Sequence, residues 1–245
     1  VALVAALVGG CGGSGGGPSD DLSPAAFIGS ISDAQSKVTS AHMTVASSFQ
    51  GQKVTGQGDF SGPEDADSID DVAMSITMKA PDGKRLEMRM VDAVMYMNLG
   101  AETDDKFVKV DLRDTSNPIG KAFSQLSDQL DPAKQMKAYE KAVVSYSKKG
   151  DAITLDGVKA QPYEIVVDTT KLPKPDIEGP QPKMPKRLRT TIYVGPDQLP
   201  RRMTMDMGGV STQVDYTDWG QDVSIEKPEP SQISDQDPFA PTAES

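Results

Sequence analysis

The chain is poor in the residues that most enzymes and metal proteins depend on. It has one cysteine, so a disulfide framework and a Cys-cluster metal site are both excluded. It has one histidine, His42, which removes the His-paired forms of nucleophilic catalysis and most zinc sites. Positive charge is in deficit: 25 Lys and Arg face 36 Asp and Glu, a formal charge of -11 that would repel a phosphate backbone and argues against nucleic acid. Aromatic residues make up only 5%, so large rigid side chains cannot dominate the core. No nucleophile elbow, H-E-x-x-H or Walker loop occurs, and no carboxylate pair stands out by context. Composition therefore speaks against an enzyme, and it implies no cofactor.

No apolar run is long enough to span a bilayer. Residues 1–8 are uncharged and apolar, but as a helix they reach only about 12 Å against a hydrocarbon core of about 30 Å. They fit the end of a signal-peptide hydrophobic region, with Gly9-Gly10 as the small residues before a cleavage point. No Lys or Arg precedes them, so residues 1–10 read as a partial signal peptide. Val8-Gly9-Gly10-Cys11 resembles a bacterial lipobox, in which the cysteine thiol receives diacylglycerol. Residues 11–22 then form a lipidated Cys11 and a Gly-rich tether. Acyl chains on Cys11 anchor the mature protein to a membrane, with its working part outside the cytoplasm.

What the chain does have is alternation. Ser23-Pro24 supplies a helix N-cap and a first-turn proline, and Phe27, Ile31, Ala34 and Val38 recur at helical spacing, predicting a helix over 24–40. From Ala41 the period becomes two. Strands are predicted at 41–49, 53–60, 72–78, 85–90, 94–99 and 107–111, with Gly51-Gln52 and Pro81-Asp82-Gly83 as turns. Two short helices are expected after Asn117-Pro118 and Asp131-Pro132. Strands resume at 143–148, 152–155, 163–167, 188–194, 203–207 and 210–219, interrupted by a Pro-rich stretch over 172–185. The domain spans 23–226, and 227–245 reads as a disordered acidic tail. The fold class is α+β: a strongly curved antiparallel sheet with helices packed on its concave face.

Methionine is the second abundance: 12 are present, ten of them on predicted strands. Met43 is on the first. Met74 and Met78 share a face with Ile76, Met88 with Met90, and Met95 with Met97. Met203, Met205 and Met207 share one face of a later strand. Such a face is either an ordinary sheet-on-helix core or the wall of a deformable apolar cavity, and periodicity does not separate the two.

Other features read as structural. Gly56-Gln57-Gly58 opens no helix and marks a strand bend. Asp65–Asp71 lacks the EF-hand glycine and final glutamate and reads as a solvated acidic loop. His42 begins a strand with no second histidine. Lys183, Lys186, Arg187 and Arg189 form the one dense basic cluster, read as a solvated loop and strand edge, with anionic headgroups as the alternative partner.

The junction Lys37-Val38-Thr39-Ser40-Ala41-His42-Met43, and Trp219-Gly220 followed by Val223, Ile225 and Pro228, resemble the LppX/LprA/LprF/LprG lipoproteins of actinobacterial envelopes over roughly residues 11–228. That resemblance implies a LolA/LolB-like half-open barrel. It also implies an apolar cavity for acylated lipids or glycolipids, shuttled or presented in the envelope beside an envelope lipid exporter, with Cys11 as the acylated residue. The alternative on the same scaffold is an interaction or sensor lipoprotein with a closed core and a protein partner.

Overall fold

The computed structural model describes residues 22–63, 69–116, 120, 142–171, 185–207 and 209–234. Helix α1 covers Pro24–Gln35. Ser23 caps it: the backbone is extended there and the hydroxyl accepts from the Ala26 N–H at 3.2 Å. The predicted helix ran to residue 40, but the observed one stops five residues earlier. Val38 and Thr39 are β-branched, and the Thr39 carbonyl accepts from Gly62 N–H at 2.9 Å, which draws this segment into the sheet.

Twelve strands follow: β1 Ser40–Phe49, β2 Gln52–Ser61, β3 Ala73–Lys79, β4 Arg85–Val91, β5 Val94–Asn98, β6 Val108–Asp111, β7 Val143–Lys148, β8 Ile153–Leu155, β9 Val158–Asp168, β10 Arg187–Val194, β11 Pro200–Met207 and β12 Val210–Thr217. All pair antiparallel in the order β6-β5-β4-β3-β2-β1-β12-β11-β10-β9-β7, with β8 on the start of β9. The chain meanders outward to β6, restarts at β7 and returns until β12 pairs with β1 in the middle of the sheet. Strands β6 and β7 are the two ends and do not pair, so the sheet is open. One α-helix lies among the described residues; the two expected helices over 117–140 fall outside them, apart from Gly120.

Register shows how period-two alternation sorts side chains, because directly paired residues share a face. One row runs Tyr163–Ile192–Met203–Val214–Val45–Gly56–Met78–Leu86 across eight strands. A second runs Tyr216–Met43–Gly58–Ile76–Met88–Met97–Val108. A third runs Ala41–Phe60–Met74–Met90–Met95–Val110. The opposite face carries rows such as Thr44–Gln57–Thr77–Glu87–Asn98 and the Arg202–Asp215 ion pair.

At the β7–β9–β10 end the apolar face is covered by α1. Phe27, Ile31, Val143, Tyr163, Ile165, Val167, Ile192 and Val194 form one buried cluster. Phe27 stacks on Tyr146 with centroids 4.4 Å apart and tilts against Tyr163 at 4.8 Å. The Tyr146 hydroxyl donates to the Leu22 carbonyl at 2.6 Å, tying the chain ahead of α1 to the sheet.

Residues 227–234, assigned to the tail from composition, run to the far edge. Lys227 pairs with Asp92 at 2.6 Å, Pro228 is buried, and Phe107 exchanges hydrogen bonds with Gln232 and Ser234 at 2.8 and 2.7 Å. Residues 235–245 lie outside the described part.

Candidate functional site

A cavity of about 500 Å³ opens on the apolar face where α1 gives way to β1. That volume falls within the roughly 300–1,000 Å³ of small-molecule sites. The end of α1 supplies Ser32, Gln35 and Ser36, and the connecting segment supplies Val38. Ala41 and Met43 come from β1, Phe60 from β2, and Pro63 and Val72 from the chain between β2 and β3. Tyr216 lies one residue before the end of β12, and Trp219 lies just beyond the strand. These positions converge because β1, β2 and β12 are neighbours whose paired ends place Ala41, Met43, Phe60 and Tyr216 on one face.

The two aromatics form a braced wall. The rings of Tyr216 and Trp219 stack with centroids 5.7 Å apart, and the Trp219 indole N–H donates to the Pro200 carbonyl at 2.9 Å. Burial pushes the Tyr216 hydroxyl up from its ordinary value, so it is a neutral hydrogen-bond donor at physiological pH. Behind them the chain turns through Asp218 and Gly220, both at positive φ, and Gly220 N–H donates to the Ser40 carbonyl at 2.9 Å.

The cavity stands at the head of two methionine rows. Phe60 pairs with Met74, which leads to Met90 and Met95. Met43 leads through Gly58 to Ile76, Met88 and Met97. Met78 and Met203 lie one row further along the same face. Met205 is further still, beside Thr190 and Thr212, and Met207 lies beyond it, paired with Val210. Met90 is buried; the other nine of these strand methionines are half-buried. Only Met43, of all the strand methionines, is among the described residues lining the cavity.

Sequence reasoning missed Phe60, Val72 and Tyr216 as cavity residues. Phe60 and Tyr216 continue the alternation of β2 and β12 and Val72 directly precedes β3, and the signal that singles them out is their place at strand ends that meet in space. Trp219, noticed for its resemblance, is the chain's one tryptophan.

The remaining features fall elsewhere. His42 faces away from the cavity and meets Asp59 Oδ1 at 2.7 Å across the β1–β2 pair. Gly56 and Gly58 let β3 lie close: a Cβ at Gly58 would collide with the Ser75 carbonyl oxygen and stand 3.0 Å from Ile76 Cγ1. Arg189 pairs with Glu164 at 3.1 Å, beside exposed Lys186 and Arg187. Cys11, Lys183 and most of the acidic loop lie outside the described residues.

No protein-family profile and no curated protein matches this sequence. Solved structures do match. The lipoprotein LppX of Mycobacterium tuberculosis superposes with a TM-score of 0.57 at 14% identity, over 83% of this chain and 98% of that one. LprF of Mycobacterium bovis superposes with a TM-score of 0.53 at 16% identity, over 87% of this chain and 99% of that one. The chain therefore has the LppX/LprF fold over essentially the whole length of both proteins.

Proposed function

We propose that this protein is a cell-envelope lipoprotein that binds the acyl part of a lipid or glycolipid in an apolar cavity and shuttles or presents it without covalent chemistry. The observation that carries this reading is the roughly 500 Å³ cavity at the head of methionine rows that run on across the same sheet face. Methionine is unbranched and polarizable, so it repacks around chains of varied shape at low cost. The fold shared with LppX and LprF supports the same reading.

The energetics suit a carrier. Exposing an acyl chain of about 16 carbons to water costs about 12 kcal/mol, at about 0.8 kcal/mol per CH₂. A protein that shields the chain lowers the barrier to transfer between membranes. In this account acylated Cys11 holds the protein at the membrane, and the sheet curls into a half-open barrel with helices on its concave face. An envelope lipid exporter is the partner class that would load or unload the cavity.

Native mass spectrometry of the protein purified from a lipid-containing host, followed by solvent extraction, tests the reading. A stoichiometric mass excess that extracts as acylated lipid is expected. A protein that stays at its apo mass, even after incubation with acylglycerols and envelope glycolipids, would overturn it.

A further inference from the structure

Charge is spread unevenly along this chain. Over 142–194, the stretch that carries β7 to β10, nine Lys and Arg stand against six Asp and Glu. In the sequence before it 13 face 20, and in the sequence after it 3 face 10. One end of the sheet is therefore basic in a protein of formal charge -11. Lys186, Arg187 and Arg189 belong to this end, and all three are exposed. Glu164 is shared between Lys149 at 3.0 Å and Arg189 at 3.1 Å, so this trio keeps a net positive charge.

Two strands build the outer edge of this end together. β7 pairs with 163–167 of β9 and β8 with 158–160, and Lys149 N–H donates to the Pro162 carbonyl at 2.9 Å between them. They are one long arm of a hairpin closed by Asp156-Gly157, and β10 lies on the other side of β9. Two of the three exposed large apolar residues among the described residues sit on this arm, Val144 at 43% and Ile153 at 41%. Val144 is in the bulge opposite Val166 and Val167, and Ile153 is opposite Ala160, about 20 Å along the edge at strand rise. Exposed Lys148 and Lys149 fall between the two, and exposed Lys159 pairs with Thr154 beside Ile153.

The chain also enters the fold at this edge, where the Tyr146 hydroxyl of β7 donates to the Leu22 carbonyl at 2.6 Å. A Gly-rich stretch joins Cys11 to Leu22. A flexible chain of that length has a root-mean-square reach of about 18 Å. An anchor on Cys11 therefore brings the β7 end of the sheet to the bilayer, and not the β6 end.

Resting on the anchored-lipoprotein reading above, we infer that the β7–β8 edge is the membrane-contact face of this protein and that its partner is an anionic phospholipid surface. Val144 and Ile153 enter the interfacial layer, and Lys149 and Lys159 meet headgroup phosphates. The acidic remainder of the chain is repelled by the same surface, which orients the protein edge-on.

The experiment is vesicle co-sedimentation of the full chain carrying Cys11→Ser, which removes the lipid anchor. Vesicles of equimolar phosphatidylglycerol and phosphatidylcholine are compared with phosphatidylcholine alone. At low salt, binding to the mixed vesicles is expected to be at least about tenfold tighter, and to fall in high salt. Adding Lys149→Gln with Lys159→Gln is expected to weaken it by about tenfold, and Ile153→Ser by about three- to tenfold. Lys53→Gln with Lys79→Gln, on exposed residues of β2 and β3, removes the same charge elsewhere and is expected to change binding by less than about twofold. Equal binding to both vesicles overturns the anionic partner. Equal losses from the two lysine pairs, or no binding at all, overturn the choice of edge. The Cys11 reading fails separately, if the wild-type chain from a lipoprotein-processing bacterium gains no diacylglycerol mass.

Discussion

One face of one sheet is finished in two ways. At the β7–β9–β10 end it is covered by α1, and Phe27, Tyr163, Val167 and Val194 are all but inaccessible to solvent. At the β1–β5 end the same alternation yields methionines that are half-buried except for Met90, and a cavity edged by Phe60 and Tyr216. The side chains differ accordingly: a three-ring cluster and β-branched residues fill the first region, whereas in the second one aromatic pair, Tyr216 and Trp219, edges the cavity and methionines carry the face beyond it. Rigid complementary packing makes a core, whereas adaptable packing leaves room for something else. The carrier proposed above needs both, the first to hold the fold while the second exchanges its contents.

The contrast can be broken from either side. Phe27→Ala should have the largest effect on stability, about 3–5 kcal/mol, because it empties the centre of the aromatic cluster under α1. Urea denaturation measures it, and a loss below about 1 kcal/mol would mean that this end is not the rigid half. Gly58→Ala should cost about 1–3 kcal/mol by forcing β3 away from β2. A thermal melt as high as that of the wild type would show that the close approach is dispensable.

Met88→Glu acts on the other half. It should lower lipid affinity by at least about tenfold, or 1.4 kcal/mol, while the protein stays folded by circular dichroism. Retained lipid binding in the folded variant would remove the methionine rows from the binding site. Ser23→Ala should cost about 1 kcal/mol through loss of the α1 cap, without altering lipid affinity. A change in affinity would mean that the two regions are coupled through the helix.

The smallest effect concerns pH. The Glu164 carboxyl is held below its ordinary value, first by its hydrogen bond from Lys149 and then by the charges of Lys149 and Arg189. A depressed folded-state value means that this contribution is fully present above the ordinary carboxylate range and is lost as pH falls through the folded value. Glu164→Gln should therefore flatten the acid limb of the stability–pH profile slightly. Chemical denaturation across mildly to strongly acidic pH checks it, and an acid limb that steepens would reverse the sign.

Much of this was legible in the sequence. Strict alternation in 72–78, 85–90 and 203–207 located β3, β4 and β11, because a half-buried strand must alternate, and Pro81-Asp82-Gly83 marked the turn between β3 and β4. The likeness to LppX and LprF, stated from two short segments, holds at the level of the fold. The end of α1 was misplaced because Val38 continues the helical spacing while its neighbour Thr39 bonds to the sheet. The ordering of 227–234 was hidden by a polar, Pro-rich composition; Lys227, Pro228 and the backbone beside Phe107 supply contacts that only the folded edge makes. The cavity was the least legible part. Phe60 and Tyr216 lie far apart in the chain, and nothing in a period of two says which apolar positions end up facing open space.

Trp219 makes the central claim directly measurable, since the chain's one tryptophan forms part of the cavity wall. Its emission should be titrated with an acylglycerol brominated along the acyl chain, using the non-brominated lipid as competitor. The account predicts saturable quenching that the competitor reverses. Stoichiometric lipid binding without any quenching of Trp219 would contradict it and move the ligand out of this cavity.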